Sequence, residues 1–293
     1  METTFKRISS VRFLLLIAAL VAPAIAGAQV QTLDFPGGSA TFANDINDAG
    51  QMVGTYFDAN GVSHGFLYEP WKVEPFTPIN YPGADWTEVS GINRQGDIVG
   101  FYGHNTESFF HGFVRTASGT FTSFDREGRW NTMPQAIAAS GLIVGCIHNP
   151  GAMFGWLRQN GAFASETRGD GWTGDAMYTS VNDAGTLVGW QRSRSASAPG
   201  ITSFLIMGTG RTDFEYPGAS RTQAWGLNSG GDVVGWYGPA ASSRGFLLRG
   251  GQFVQIHVPD AVWTRAFGIN ADGDIVGAYR DGSGIHGFLL PAE

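Results

Sequence analysis

An all-β fold built from repeated four-stranded sheets is what this sequence predicts, and three observations predict it. The first is one sentence written six times: DINDAGQMVGTY from Asp45, SGINRQGDIVGFY from Ser90, AIAASGLIVGCI from Ala136, SVNDAGTLVGWQ from Ser180, GLNSGGDVVGWY from Gly226 and GINADGDIVGAY from Gly268. The glycine of its Val-Gly pair falls at Gly54, Gly100, Gly145, Gly189, Gly235 and Gly277, with spacings of 46, 45, 44, 46 and 42. A period in the forties marks an array of supersecondary units. The second observation is a following Gly-Phe motif: His111-Gly112-Phe113-Val114, His64-Gly65-Phe66-Leu67 and His286-Gly287-Phe288-Leu289, with weaker forms at Phe154-Gly155-Trp156-Leu157 and Arg244-Gly245-Phe246-Leu247. The third is at the two ends of the repeat array, taken up below.

Each copy divides into four short β segments with turn residues between them. In copy two the first is EVSGIN (Glu88 to Asn93) and the second DIVGFY (Asp97 to Tyr102). Between them Asn93-Arg94-Gln95-Gly96 reads as a tight turn, Asn suiting its first position and Gly the position that favours positive φ. The Asn recurs as Asn47, Asn182, Asn228 and Asn270, with Ala138 the one departure, and the Gly recurs in all six copies. The Gly-Phe motif is the third segment. The fourth follows a polar turn and reads FTPINYP (Phe76 to Pro82) or TFTSFD (Thr120 to Asp125), its terminal Pro suiting an edge strand.

The array begins with VQTLDFPG (Val30 to Gly37), a fourth-type segment, and finishes on HGFLLPAE, a third-type segment with no fourth after it. The strand missing at one end is supplied at the other. The prediction is therefore a six-bladed β-propeller of four-stranded antiparallel blades, closed by the N-terminal strand and occupying residues 29–293. An open solenoid, which needs caps at both ends, and rings of five or seven blades are the alternatives.

Lys6, Arg7 and Arg12 precede an apolar stretch from Phe13 to Ala26, and Ala26-Gly27-Ala28 has the small-x-small form of a cleavage site. Residues 1–28 read as a secretory signal, with no membrane span after cleavage and a secreted, periplasmic or cell-surface location. They carry three cations and one anion, so removing them shifts the net charge from −7 to −9. An acidic surface argues against nucleic acid as a partner. Cys146 is the one cysteine, which rules out an intrachain disulfide. It stands where other copies carry Phe101, Trp190 and Trp236, and reads as a buried apolar thiol.

The pattern GIN-x-x-G-D-I-V-G-x-Y followed by H-G-F-L resembles the bacterial extracellular HAF-type repeat, well in copies one, two, five and six and weakly in three and four. The resemblance implies an exported bacterial repeat protein. It implies no established activity and carries over no catalytic residues.

Propeller topology puts the tight first-to-second and third-to-fourth turns on one face and the long, dissimilar connections on the other. Function concentrates on variable loops held by a rigid scaffold, so the second face is the expected site. Trp86, Trp130, Trp172 and Trp263 fall in the fourth-to-first connections, with Arg129, Arg221 and Arg265 near them. Aromatic walls with a few placed polar groups suit an extracellular glycan or cell-surface polymer; the competing role for each Trp is a plug between blades. His64, His111 and His286 hold a repeated position and read as structural. His104 and His148 do not belong to the repeat and follow the second segment in adjacent copies. They form the candidate metal-binding or acid–base pair. In an alternative reading, a polysaccharide lyase or glycoside hydrolase, His104 or His148 is the base, Tyr102 the acid, and Arg129 or Arg221 the partner of a uronate carboxylate. Asp170 and Asp175 beside Trp172 are possible oxygen ligands for a divalent ion, without the standard calcium-loop spacing. Beyond that possible divalent metal, no cofactor is implied. The nucleophile elbow, the zinc helix and the phosphate-cradling loop are absent from the sequence.

Overall fold

A computed structural model describes residues 29–126, 131–149, 152–166, 175–192 and 200–292, with only the backbone of residues 148, 149, 152 and 164–166. Copy one contains β2 (Ala40–Ile46), β3 (Met52–Phe57), β4 (Ser63–Tyr68) and β5 (Phe76–Ile79). Copy two contains β6 (Trp86–Ile92), β7 (Ile98–Gly103), β8 (His111–Arg115) and β9 (Phe121–Phe124). Copy three contains β10 (Asn131–Ile137), β11 (Ile143–Asn149), β12 (Ala152–Gln159) and β13 (Ala162–Glu166). Copy four contains β14 (Asp175–Val181), β15 (Leu187–Arg192), β16 (Ile201–Met207) and β17 (Gly210–Phe214). Copy five contains β18 (Thr222–Leu227), β19 (Val233–Tyr237), a single 3-10 turn at Ala240–Ser242, β20 (Arg244–Arg249) and β21 (Gln252–Ile256). Copy six contains β22 (Trp263–Ile269), β23 (Ile275–Arg280) and β24 (Ile285–Leu290). Its fourth strand is β1 (Gln31–Leu33), antiparallel to β24 with Thr32 opposite Phe288. No helix among the described residues is long and apolar enough to cross a membrane.

Within each copy the strands pair in chain order, antiparallel throughout. Copies two to five stand as four separate four-stranded sheets, and the strands of copies six and one form a single eight-stranded sheet. The expected six separate sheets are thus reduced to five. The cause is one parallel bridge, Ala40 opposite Ile285, which ties β2 to β24. First strands pack on the second strands of the preceding copy all the way round: β6 on β3, β10 on β7, β14 on β11, β18 on β15, β22 on β19 and β2 on β23.

The repeated residues explain this packing. The Val-Gly glycine lies under the third-strand aromatic: a Cβ on Gly235 would stand 2.1 Å from the Gln223 carbonyl oxygen and 2.9 Å from the Phe246 ring. Those aromatics, Phe66, Phe113, Trp156, Phe204, Phe246 and Phe288, are fully buried. The turn Asn does more than shape its own turn. In copy one the Asn47 Oδ1 accepts the backbone N–H groups of Ala49 and Gln51, while its Nδ2 donates to the Asn93 carbonyl of the next copy at 3.0 Å. Asn182 and Asn228 make the same cross-copy bond to Asn228 and Asn270. Cys146 is buried among Met153, Met177 and Trp190, and burial pushes its thiol up to about 12, far from a reactive thiolate.

Candidate functional site in the central channel

Every first strand carries a β-bulge at one repeated place, its fifth residue in five copies and its fourth in β18. The ladder skips Asn44, Ser90, Gln135, Thr179, Trp225 and Phe267, one residue per copy. A bulge re-aims a side chain, and here all six line one cavity of about 290 Å³. Glu88, Met133 and Arg265 line it two residues before the bulge, and Asp45, Ala136 and Ser180 one residue after. Phe101 and Trp236 on the second strands complete the aromatic part of its wall. This volume lies at the low end for small-molecule pockets.

Asp45 occupies a place held by Gly91, Gly226 and Gly268 in other copies. Its Oδ1 accepts the Ile46 N–H at 2.9 Å and its Oδ2 the Ile92 N–H of the next copy at 3.0 Å. A Cβ on Gly268 would meet the Asp45 Oδ1 at 2.9 Å, so the glycine of the preceding copy makes room for the carboxylate. Burial raises the Asp45 pKa from 3.8 to about 7, outweighing the two backbone bonds that favour the anion. Burial also raises Glu88, opposed by a side-chain bond to Ser63. Both carboxyls are therefore shifted toward the neutral, hydrogen-bond-donating form.

On the side of copies five and six the wall is aromatic and cationic. The Arg265 guanidinium lies 4.6 Å from the ring centres of both Trp236 and Trp263. Its Nε donates to Ser243 Oγ at 3.0 Å and its Nη2 to the Ala240 carbonyl at 2.7 Å. Trp225 packs edge-on against Phe267 at 5.7 Å, and its buried Nε1–H has no hydrogen-bond partner. An unpaired buried donor is costly.

The residues singled out by sequence are distributed differently from expectation. Trp86 and Trp263 are not in loops: they open β6 and β22, paired with Gly103 and Arg280. Trp263 is 7 % exposed against Arg265. Trp86 packs edge-on against Phe110 at 4.9 Å, over Gly103, where any Cβ would strike its ring. Neither lines the cavity; Trp263 is buried, and Trp86 is half-buried. Arg265, expected near a loop tryptophan, is brought to the channel wall. Trp130, Trp172, Arg129 and Asp170 lie outside the described residues, as does the side chain of His148. His104 stands 5.8 Å from the Tyr102 ring and 6.3 Å from His111. Tyr102 is 7 % exposed, stacked on Tyr81 at 3.7 Å and hydrogen-bonded to Ser123. Burial pushes its hydroxyl up to about 12. Arg221 lies over Trp236 in copy five, three copies from Tyr102. Of the described members of the lyase reading, His104 and Tyr102 are adjacent and Arg221 lies apart from them. Asp175 opens β14, where its Oδ1 accepts the Met153 N–H. No group of three or more His, Cys, Asp or Glu able to hold a metal occurs among the described residues.

The repeated histidines form clamps. His111 Nδ1 meets Asp125 at 2.9 Å and its Nε2 meets Glu107 at 2.8 Å, and these two carboxylates raise its pKa although desolvation opposes them. His286 sits between Asp34 and Asp281, and His64 between Asn80 and Asp58. Each also faces a second-strand tyrosine at 5.1 to 5.2 Å. They bind the third strand to the end of the fourth.

No protein-family model matches this chain, and no curated protein matches it in sequence. Solved structures do match in fold. A SapL1 lectin in complex with α-methyl fucoside aligns with a TM-score of 0.56 at 10 % identity, over 87 % of this chain and 94 % of that one. The Aleuria aurantia lectin with Fucα1-6GlcNAc gives 0.53 at 12 % identity, over 88 % and 93 %. Virginiamycin B lyase from Staphylococcus aureus, with quinupristin, gives 0.52 at 13 % identity, over 90 % and 99 %. At such identities the likeness defines the fold alone: the protein is a β-propeller with four-stranded blades.

Proposed function

We propose that this chain is an exported six-bladed β-propeller that binds an extracellular carbohydrate, and that it holds one sugar unit in the central channel. The blade count treats the eight-stranded sheet as two blades joined by the Ala40–Ile285 bridge. Export rests on the signal-like residues 1–28 and on the resemblance to HAF-type repeats. The observation that carries the binding reading is the ring of six bulged side chains around a cavity of about 290 Å³. It offers ring faces (Trp225, Phe267) and amide and hydroxyl groups (Asn44, Gln135, Ser90, Thr179). Sugars need that mixture, because their C–H faces stack on aromatics while their hydroxyls demand paired polar groups. Fucose-bearing ligands in two of the structurally similar lectins support the class of ligand without giving its identity.

Trp225→Ala removes a ring face from the cavity wall. Measured by glycan array and titration calorimetry, it is expected to weaken binding about two- to tenfold, the worth of one stacked ring face. Unchanged affinity across all retained glycans would place the ligand elsewhere. The enzymatic alternative has one observation in its favour: Asp45, with a pKa near neutrality, lies in the cavity wall and could carry a proton. Its check is product formation from a polysaccharide panel; the reading requires turnover by the wild type and its loss in Asp45→Gly.

A further inference from the structure

Arg221 and Arg265 bring two positive charges to one indole. Arg221 immediately precedes β18 and Arg265 is the third residue of β22, so they come from neighbouring copies. Their guanidinium carbons lie 5.9 and 4.6 Å from the Trp236 ring centre. Burial, and to a lesser degree the charge of nearby Arg221, lowers the Arg265 pKa.

Neither has an ion-pair partner among the described residues, although Arg211, Arg249 and Arg94 pair with Asp213, Asp232 and Asp183. Carboxylates are not scarce, since the chain holds 25 Asp and Glu against 18 Lys and Arg. Like charges set side by side without a counter-ion repel each other. Stacking on Trp236 and Trp263 and the bonds to Ser243 and Ala240 hold Arg265 in place and leave its Nη1 without a protein partner among the described residues. Guanidinium groups positioned in this way suit a planar or tetrahedral oxyanion.

We propose that Arg221 and Arg265 form a subsite for the anionic group of an acidic saccharide, whose ring lies in the channel beside Trp225. This rests on the channel-binding reading and narrows it to sugars bearing a carboxylate or a sulfate. Burial raises the pKa values of the cavity carboxyls Asp45 and Glu88, which lessens their repulsion of such an anion.

The test compares three probes by titration calorimetry: an oligouronate, the same oligosaccharide with its carboxylates reduced to alcohols, and a sulfated neutral oligosaccharide. The oligouronate or the sulfated probe is expected to bind about tenfold or more tightly than the reduced one. Which of the two wins identifies the anion. Arg221→Gln, with an unchanged melting temperature, should remove that preference and leave the reduced probe's affinity as it was; Arg221→Lys should keep part of it. Equal binding of charged and reduced probes, or equal loss of both in Arg221→Gln, overturns the anionic subsite and leaves the channel reading standing. If wild type binds only neutral glycans, the subsite likewise falls; if it binds no saccharide at all, the channel reading falls with it.

Discussion

Two layers of each copy behave in opposite ways. At the Val-Gly pair the second strand carries glycine and the third strand a buried aromatic in all six copies, whereas the bulge residue of the inner strand is different in every copy: Asn44, Ser90, Gln135, Thr179, Trp225 and Phe267. The constant layer faces the next strand and must fit its neighbour without a void. The bulge faces the axis, where packing imposes no single shape. Constancy marks the scaffold, and variation within an otherwise constant sentence marks the surface open to selection for a ligand.

Three changes would break or sharpen that contrast. The largest effect is expected in the constant layer. Gly235→Ala forces a Cβ to within 2.1 Å of the Gln223 carbonyl oxygen, a backbone atom that cannot swing away. Destabilisation of about 3 kcal/mol or more is expected, from overpacking with forced backbone shifts. A melting temperature within a degree or two of wild type would contradict the account of that layer.

Asp45→Gly, just past the bulge, should have an intermediate effect that depends on pH. The folded pKa is raised from 3.8 to about 7, so the native state holds the proton more tightly than the unfolded chain. Wild-type stability relative to the variant should therefore be greatest below about pH 4, fall as pH rises to about 7, and level off. Three pKa units bound the total change at roughly 4 kcal/mol. Denaturant titrations at several pH values give the curve directly. A difference that is flat, or that grows with pH, would show that Asp45 is not the buried acid described.

At the bulge itself, Ser90→Ala with Gln135→Ala should shift stability by no more than about 0.5 kcal/mol, since their half-buried side chains line a cavity. Chemical denaturation checks this, and a loss above about 2 kcal/mol would place these residues in the scaffold after all.

Much of the scaffold is legible in the residues themselves. Asn followed three positions later by Gly announces a turn because its chemistry is local, and Gly50, Gly96, Gly141, Gly185, Gly231 and Gly273 all take the positive φ that it requires. Val30 to Gly37 is legible as a displaced fourth strand, and β1 takes that place beside β24. The site is far less legible. Trp86 and Trp263 read as loop aromatics because nothing nearby reveals that the inner strand extends back to include them. The repeated sentence, read as pure architecture, conceals its one variable column. That column was available as a signal, three residues before the turn Asn, but its direction was not. A two-against-one register changes which way a side chain points, and register depends on the partner strand.

By itself, the sequence determined the number of copies, their strand order, the turns between strands and the identity of the strand that joins the two ends. These follow from local backbone preference and from a repeat that can bury its apolar face only against another copy of itself. Tertiary structure alone decided that six bulges converge on one channel, that Asp45 fits beside Gly91 and Gly268, and that Arg221 meets Arg265 without a carboxylate. The charge state of a buried group depends on neighbours distant in the chain, as with Asp45 and the Ile92 N–H 47 residues away, and only closure of the ring brings such neighbours together.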